Sequence, residues 1–449
     1  MGIRVVSFAR GRIYYGWAIV AVGFVIEFFF VSLRSYGAGL FLKPMTLEFG
    51  WTRATYSLVQ SFSFAVDGLI SPIIGPIIDK RGGRGLMIFG AIIGGGSIAA
   101  LGLVQGLWDF YLLRGLVVTI GIVCAGPLVI NVAISNWFIR KRGKAVALSL
   151  MGVSLGGAVL SPVITHLIVT YGWRWAWVIC GVAVWVMIIP PVALLIKRRP
   201  EDIGLMPDGD APAGDGGQGS GPMGLEANPI SGPRPPTPIP HAESAWTRGE
   251  AVRTPALWLT VVAFGFANLG SAGVTLHLYA YLTDIGLPDV TAAMIFSAHA
   301  VALTAAKIVW GFVLDKFQVR HCAMTAFVFL AAVIALLAAV SLRPSVWLIF
   351  VIGILLGFGL AGQAPVQEVL WANYFGRLSL GAIRTVASPF SIIFSAGGPF
   401  FGGWAYDRYG SYQIAFAFFA ASFIVGAFLV YFARPPQKKP QEEGVLRGR

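Results

Sequence analysis

Uninterrupted apolar runs of 20 residues or more recur twelve or so times along this 449-residue chain. Each matches, as a helix, the roughly 30 Å hydrocarbon core of a bilayer. Apolar residues make up 57% and charged residues only 12%, and no soluble domain needs a dozen such runs. The fold class that follows is an all-α membrane protein with twelve spans. These are expected near 15–41, 52–78, 86–106, 109–135, 144–170, 175–196, 255–283, 291–314, 321–341, 345–372, 380–406 and 412–433.

Charge gives the topology. The net charge of +13 does not describe a nucleic-acid surface, because the basic residues collect in short loops and at the termini. With twelve spans, Lys80-Arg81-Arg84, Arg140-Lys141-Arg142-Lys144, Lys197-Arg198-Arg199, Lys316-Arg320 and Arg377 fall on one side, together with both termini. The positive-inside rule assigns that side to the cytoplasm. Lys43, Arg53, Arg174 and Arg343 fall on the other. The first run is too long for a cleavable signal peptide and lacks a small-residue cleavage site. Composition shifts to Gly, Pro, Asp and Ser after residue 196. The expected organisation is a six-helix bundle over 1–196, a flexible cytoplasmic linker over 197–250, a second bundle over 251–434 and a cytoplasmic tail over 435–449. Cys124, Cys180 and Cys322 have spacing that suits neither a metal site nor a disulfide framework.

Ionisable residues inside the spans are the functional candidates. Lys307 lies eight residues before Asp315, so it sits about 12 Å inside that helix end, near the midplane. A charge there costs at least about 2.5–3.5 kcal/mol on insertion scales. A lysine snorkelling to the interface is the competing reading. Asp67 and Glu27 lie about 18 Å from the cytoplasmic ends of their spans and Glu368 about 10 Å. All three are candidates for carrying a proton, as is Lys307, whose proton burial disfavours and an arriving carboxylate favours. The competing reading for the acids is a structural hydrogen bond or an ion pair such as Glu27 with Arg34, although seven residues is too far for direct contact without a bend or a long reach. Arg34 reads either as an attractor of anions at the outer mouth or as a solvated side chain. His277 and His299 titrate in a range useful for proton coupling, although a neutral, hydrogen-bonded histidine is the ordinary case. His277, Tyr36, Tyr279 and Asn131 are polar candidates for contact with a substrate.

The two halves repeat. Gly75-Pro-Ile-Ile-Asp79-Lys80-Arg81-Gly-Gly-Arg84 follows span 2, and Gly311-Phe-Val-Leu-Asp315-Lys316-Phe-Gln-Val-Arg320 follows span 8. Asn136-Trp137-Phe138 follows span 4, and Asn373-Tyr374-Phe375 follows span 10. Both pairs are offset by about 236 residues. Parallel six-span repeats with a solute site between them are a transporter architecture.

The first loop resembles the signature of the major facilitator superfamily, Gly-x-x-x-Asp-[Arg/Lys]-x-Gly-x-[Arg/Lys]. Within it, the stretch from Trp137-Phe138-Ile-Arg140-Lys141-Arg142 to Gly152 and Gly156 is similar to the signature of the monocarboxylate porters and oxalate:formate antiporters. Tyr15-Gly16-Trp17, Arg199-Pro200-Glu201-Asp202-Ile-Gly204 and His277-Leu-Tyr-Ala-Tyr281-Leu282 resemble the same group. The resemblance implies that Lys307 pairs with a substrate carboxylate. It also implies that Gly75, Asp79, Arg81, Arg84, Asp315 and Lys316 gate the cytoplasmic side. The Asp that these porters carry four residues before the cation is Leu303 here. The second cation of the oxalate antiporters falls near Ser391.

The sequence therefore reads as a carrier of a small organic monoanion, a monocarboxylate, working by alternating access with proton symport. Anion exchange, export of another solute on the same fold, and a non-transporting sensor are the alternatives. A single polypeptide in the plasma or inner membrane is expected, with the bilayer, a proton and the anion as partners. No cofactor is expected, and no nucleophile–base set, phosphate loop or metal cluster points to an enzyme.

Overall fold

A computed structural model describes residues 14–209, 246–340, 345–376 and 380–436. Ten helical stretches among them are long and apolar enough to cross a membrane. The longest, Arg142–Leu195, breaks at Gly172, whose φ of 81° is a backbone conformation that glycine adopts freely. The 30-residue helix Leu380–Tyr409 completes twelve spans. They are α1 (Gly16–Phe49), α2 (Arg53–Arg81), α3 (Arg84–Leu103), α4 (Leu107–Trp137), α5 (142–171), α6 (173–195), α7 (Pro255–Asp284), α8 (Asp289–Lys316), α9 (Val319–Val340), α10 (Val346–Phe375), α11 (Leu380–Tyr409) and α12 (Gln413–Phe432).

The repeat seen in the sequence is a repeat of packing. In the second half α7 packs on α11, α8 on α10 and α9 on α12. The first half pairs the corresponding helices, α1 with α5, α2 with α4 and α3 with α6. Side-chain ties repeat as well. Trp137 donates its ring N–H to the Lys197 carbonyl at 3.2 Å, and Tyr374 donates its hydroxyl to the Ala433 carbonyl at 2.5 Å. Arg84 donates to the Ala193 carbonyl, and Arg320 to the Tyr431 carbonyl. Each arginine thus meets the carbonyl end of the last helix in its own half, where free C=O groups and the helix dipole favour a cation.

Helix α1 is bent into register by two π-helical turns, Glu27–Val31 and Leu33–Gly37. They put Glu27, Ser32 and Tyr36 along one face, against three glycines of α5. A Cβ added at Gly152 would lie 2.4 Å from the Phe24 carbonyl oxygen and 2.8 Å from the Glu27 Cβ. One at Gly156 would lie 2.3 Å from the Phe28 carbonyl oxygen, and one at Gly157 would strike the Tyr36 ring. Small residues permit this approach where lipid supplies no hydrophobic drive between helices.

The linker is structured where it leaves the first bundle. Asp208 accepts from the backbone N–H groups of Ile139, Arg140 and Lys141 at 3.0, 2.7 and 3.2 Å. Burial by itself would raise its carboxyl pKa, but these three donors hold it below the usual value. On the other side of the linker, the Trp246 N–H bonds the Phe375 carbonyl at 3.3 Å.

The halves meet along α2–α11, along α1–α7 and where α8 packs on the α5–α6 unit. Their ion pairs among the described residues, Lys43–Asp284 at 3.2 Å and Arg53–Asp284 at 2.5 Å, both lie at the end carrying the α1–α2 loop. Gly39 there lies against the Leu276 carbonyl. At the linker end the repeat-related Gly75 and Gly311 are uncovered, and a Cβ on either would meet nothing within 4 Å. The state described is therefore closed at the first-loop end and apart at the linker end.

Gly152→Leu forces the α1 backbone away from α5, and overpacking of this kind costs about 1–3 kcal/mol. Its melting temperature in detergent is expected to fall clearly below that of the wild type, whereas Gly143→Ala, in open space, is expected to leave it unchanged. Equal melting temperatures for the two variants would remove the close α1–α5 approach from this account.

Candidate functional site

A cavity of about 490 Å³ lies between the halves. The first half lines it with Arg34, Ser35, Gln60, Phe64, Asp67 and Ser71, and the second with Asn268, Ser271, Thr275, Ser395 and Pro399. Arg34 bonds Asp67 at 2.9 Å, and Asp67 accepts from the Ser71 hydroxyl at 3.2 Å. The alternative Glu27–Arg34 pair is not formed among the described residues. The partner of Arg34 comes from the neighbouring helix α2, because seven residues along α1 is too far for contact.

Arg114 of α4 is 3% exposed and has no carboxylate partner among the described residues. Its Nη2 donates to the Arg34 carbonyl at 2.9 Å and to the Gln60 side-chain oxygen at 3.1 Å, and its Nη1 has no partner. Arg34 and Asp67 line the cavity and offset each other, while Arg114 does not line it and adds a positive charge behind the wall formed by Arg34 and Gln60. The second half contributes neutral donors and acceptors. Gln363 orients them, accepting from Ser271 at 2.5 Å and donating to Asn268 at 2.7 Å.

Glu27 and Lys307 form a separate group. Glu27 is fully buried, and neither carboxylate oxygen has a hydrogen-bond partner among the described residues. Lys307 is exposed and lies outside the cavity wall. It shares a face of α8 with Phe296, three turns away. Phe296 contacts Tyr36 of the first half at 5.4 Å between ring centroids, so this face points across the interface. Among the described residues no ion pair joins Glu27 and Lys307, and each lies within electrostatic reach of the other.

The other expected site residues are dispersed. His277 is fully buried between the halves, 3.3 Å from the Ser57 hydroxyl. Its Nε2 lies 2.8 Å from the Pro399 carbonyl, which can only accept, so Nε2 carries the proton and Nδ1 accepts from the Tyr412 hydroxyl at 3.0 Å. His299 is buried and stacked on Phe296. Tyr279 donates to Asp289 at 3.2 Å, and Tyr36 packs on Phe296. Asn131 lines a shallower pocket with Ser135 and Arg142. Glu368 is exposed on α10, and Asp315 and Lys316 are exposed at the end of α8. The side chains of Asp79 and Arg81 lie outside the described residues. Arg84 is tied to α6 of its own half rather than to the second half.

Two groups went unread in the sequence. Arg114 is a lone cation in the apolar run Tyr-Leu-Leu-Arg-Gly-Leu-Val-Val, a signal as visible as that of Lys307. Arg53, expected in a solvated loop, is 8% exposed and inserted between α7, α11 and α12.

The Major Facilitator Superfamily model matches residues 21–297 and 267–447. The MFS-type transporter pynF of Aspergillus niger is 29% identical over 194 residues, 41% of this chain and 43% of that protein. Monocarboxylate transporter 11 of Mus musculus is 24% identical over 305 residues, 67% of this chain and 60% of that protein. The chain thus spans less than two thirds of either relative's length. A bacterial homolog of the human lysosomal transporter Spinster, in its inward-facing and unoccupied conformation, superposes with a TM-score of 0.66 over 94% of this chain and 96% of that one, at 15% identity. Two repeated six-helix bundles, a charged cavity between them and a family match over nearly the whole length lead to one assignment: the chain belongs to the Major Facilitator Superfamily.

Proposed function

We propose that the chain is a secondary active carrier of a small organic monoanion, a monocarboxylate, moving it by alternating access with proton symport. One observation carries this reading: Arg34 lines the cavity beside Asp67, and the buried Arg114 adds a further positive charge directly behind that wall. Burying a charge without a counter-charge is costly. A carboxylate offsets that cost and accepts bidentately from a guanidinium, so Arg34 takes the primary binding role. The volume suits a small solute with room for water. The name of the mouse relative, a monocarboxylate transporter, agrees with this class.

Lys307 acts beside Glu27 as the proton-coupling pair. A carboxylate without hydrogen-bond partners inside an apolar bundle favours its protonated form, and a facing ammonium favours the ionised one. Any rearrangement of the halves that changes their separation therefore moves a proton on or off Glu27. The positive loops support a plasma- or inner-membrane location with both termini in the cytoplasm. That orientation makes the described state open to the cytoplasm, and the carrier works as a single polypeptide.

Thermal stabilisation of the purified protein by a panel of small carboxylates tests the binding role. A ligand that binds the folded state raises the melting temperature by mass action. Lactate- or pyruvate-sized anions are expected to stabilise the wild type and to leave Arg34→Ala unshifted. Stabilisation by neutral or cationic compounds alone would overturn the monoanion reading.

Uptake into proteoliposomes tests the coupling. Glu27→Gln is expected to retain anion exchange at equal pH on both sides while losing accumulation driven by a pH gradient. If the variant still accumulates substrate with the gradient, Glu27 does not carry the proton.

A further inference from the structure

The contact that closes the first-loop end goes beyond substrate and coupling. Helix α2 begins at Arg53, and the first N–H groups of a helix have no partner inside it. The Asp407 carboxylate, near the end of α11, accepts from both Arg53 N and Ala54 N, at 2.9 and 2.7 Å. Gly403, one turn earlier, makes room for this: a Cβ there would lie 2.6 Å from the Arg53 and Ala54 backbone. The Arg53 guanidinium reaches further into the second half. It bonds both Asp284 oxygens on α7, at 2.5 and 3.1 Å, and the Tyr412 hydroxyl at 2.7 Å, and it lies 3.6 Å from the Tyr406 ring centroid. Tyr412 passes the contact on to His277. One residue at the start of α2, through backbone and side chain, thereby holds three helices of the opposite half.

The sequence at this point is Gly403-Trp-Ala-Tyr-Asp407-Arg408-Tyr-Gly410. It has the spacing of Gly75-Pro-Ile-Ile-Asp79-Lys80-Arg-Gly82, at the other end of the α2–α11 pair. The backbones agree too. Gly82 and Gly410 end their helices at φ values of 77° and 67°, and each bonds back to the carbonyl four residues earlier, at 2.8 and 2.7 Å. The two stretches differ in engagement, because Gly403 is packed on α2 and Gly75 faces open space.

We propose that Gly403, Asp407 and Arg53 form a latch that holds the first-loop end shut. The Gly403–Gly410 stretch is then a second copy of the loop pattern, working at the opposite end of the same helix pair. The Asp407 carboxylate is itself exposed, whereas Arg53 is 8% exposed and its guanidinium holds its partners while buried. Once the end opens, water satisfies the same groups, so the latch can release and re-form.

Pulsed electron–electron distance measurement tests this in the purified full-length protein without substrate, so its result is independent of the transported solute. Spin labels are placed on Leu47→Cys and Val290→Cys, exposed positions in opposite halves at this end, with Cys124, Cys180 and Cys322 replaced. The wild type is expected to show mainly the short distance. Asp407→Ala, and independently Gly403→Leu, are expected to raise the ratio of long to short distances about tenfold, equivalent to about 1.4 kcal/mol. Asp407→Asn, which keeps the shape, takes the place of Asp407→Ala if that variant does not fold. Unchanged distances in folded Asp407 variants overturn the latch. A shift in Gly403→Leu alone overturns it as well, because packing rather than the carboxylate then holds the end.

Discussion

A guanidinium removed from water must be surrounded by oxygen atoms, and three arginines of this chain meet that demand in three ways. Arg53 takes two carboxylate oxygens and a hydroxyl from the opposite half, so meeting its needs joins the bundles. Arg34 takes Asp67 from the adjacent helix and stays at the edge of the cavity. Arg114 takes only a carbonyl and an amide oxygen, which leaves its charge uncompensated. Closure at one end and a positive charge behind the cavity wall thus follow from the same rule, applied where carboxylates are and are not within reach.

The backbone is adapted to the same ends. The π-helical turns of α1 lengthen the spacing along one face, so that Glu27, Ser32 and Tyr36 all meet α5. Glycines on α5 let the backbones approach until Glu27 is sealed from solvent. Local helix geometry, close packing and the isolation of one carboxylate are linked steps. The α5 glycines that mark the family resemblance serve mainly this packing.

Much of the architecture was legible in the chain. Twelve apolar runs dictate twelve helices, because the backbone in lipid must satisfy its own hydrogen bonds. The loop repeats correctly announced two equivalent bundles, down to the paired contacts of Arg84 and Arg320. The site was less legible. Lys307 and Glu27 stand out as charges at depth, whereas the cavity is lined by Arg34 and Asp67, with Arg114 behind its wall. His277 looked like a ligand-binding residue and lies in the interface with both ring nitrogens engaged.

The sequence by itself determined the number and length of the helices, their duplication and the list of charges that lie at depth, because these depend on local hydropathy and spacing. Only the tertiary structure decided which charge meets which. Arg53 and Asp284 are 231 positions apart, and Arg34 and Asp67 are 33 apart. No local periodicity encodes such pairings. They depend on how helices lean and rotate against one another, which glycine contacts and π-turns set in three dimensions.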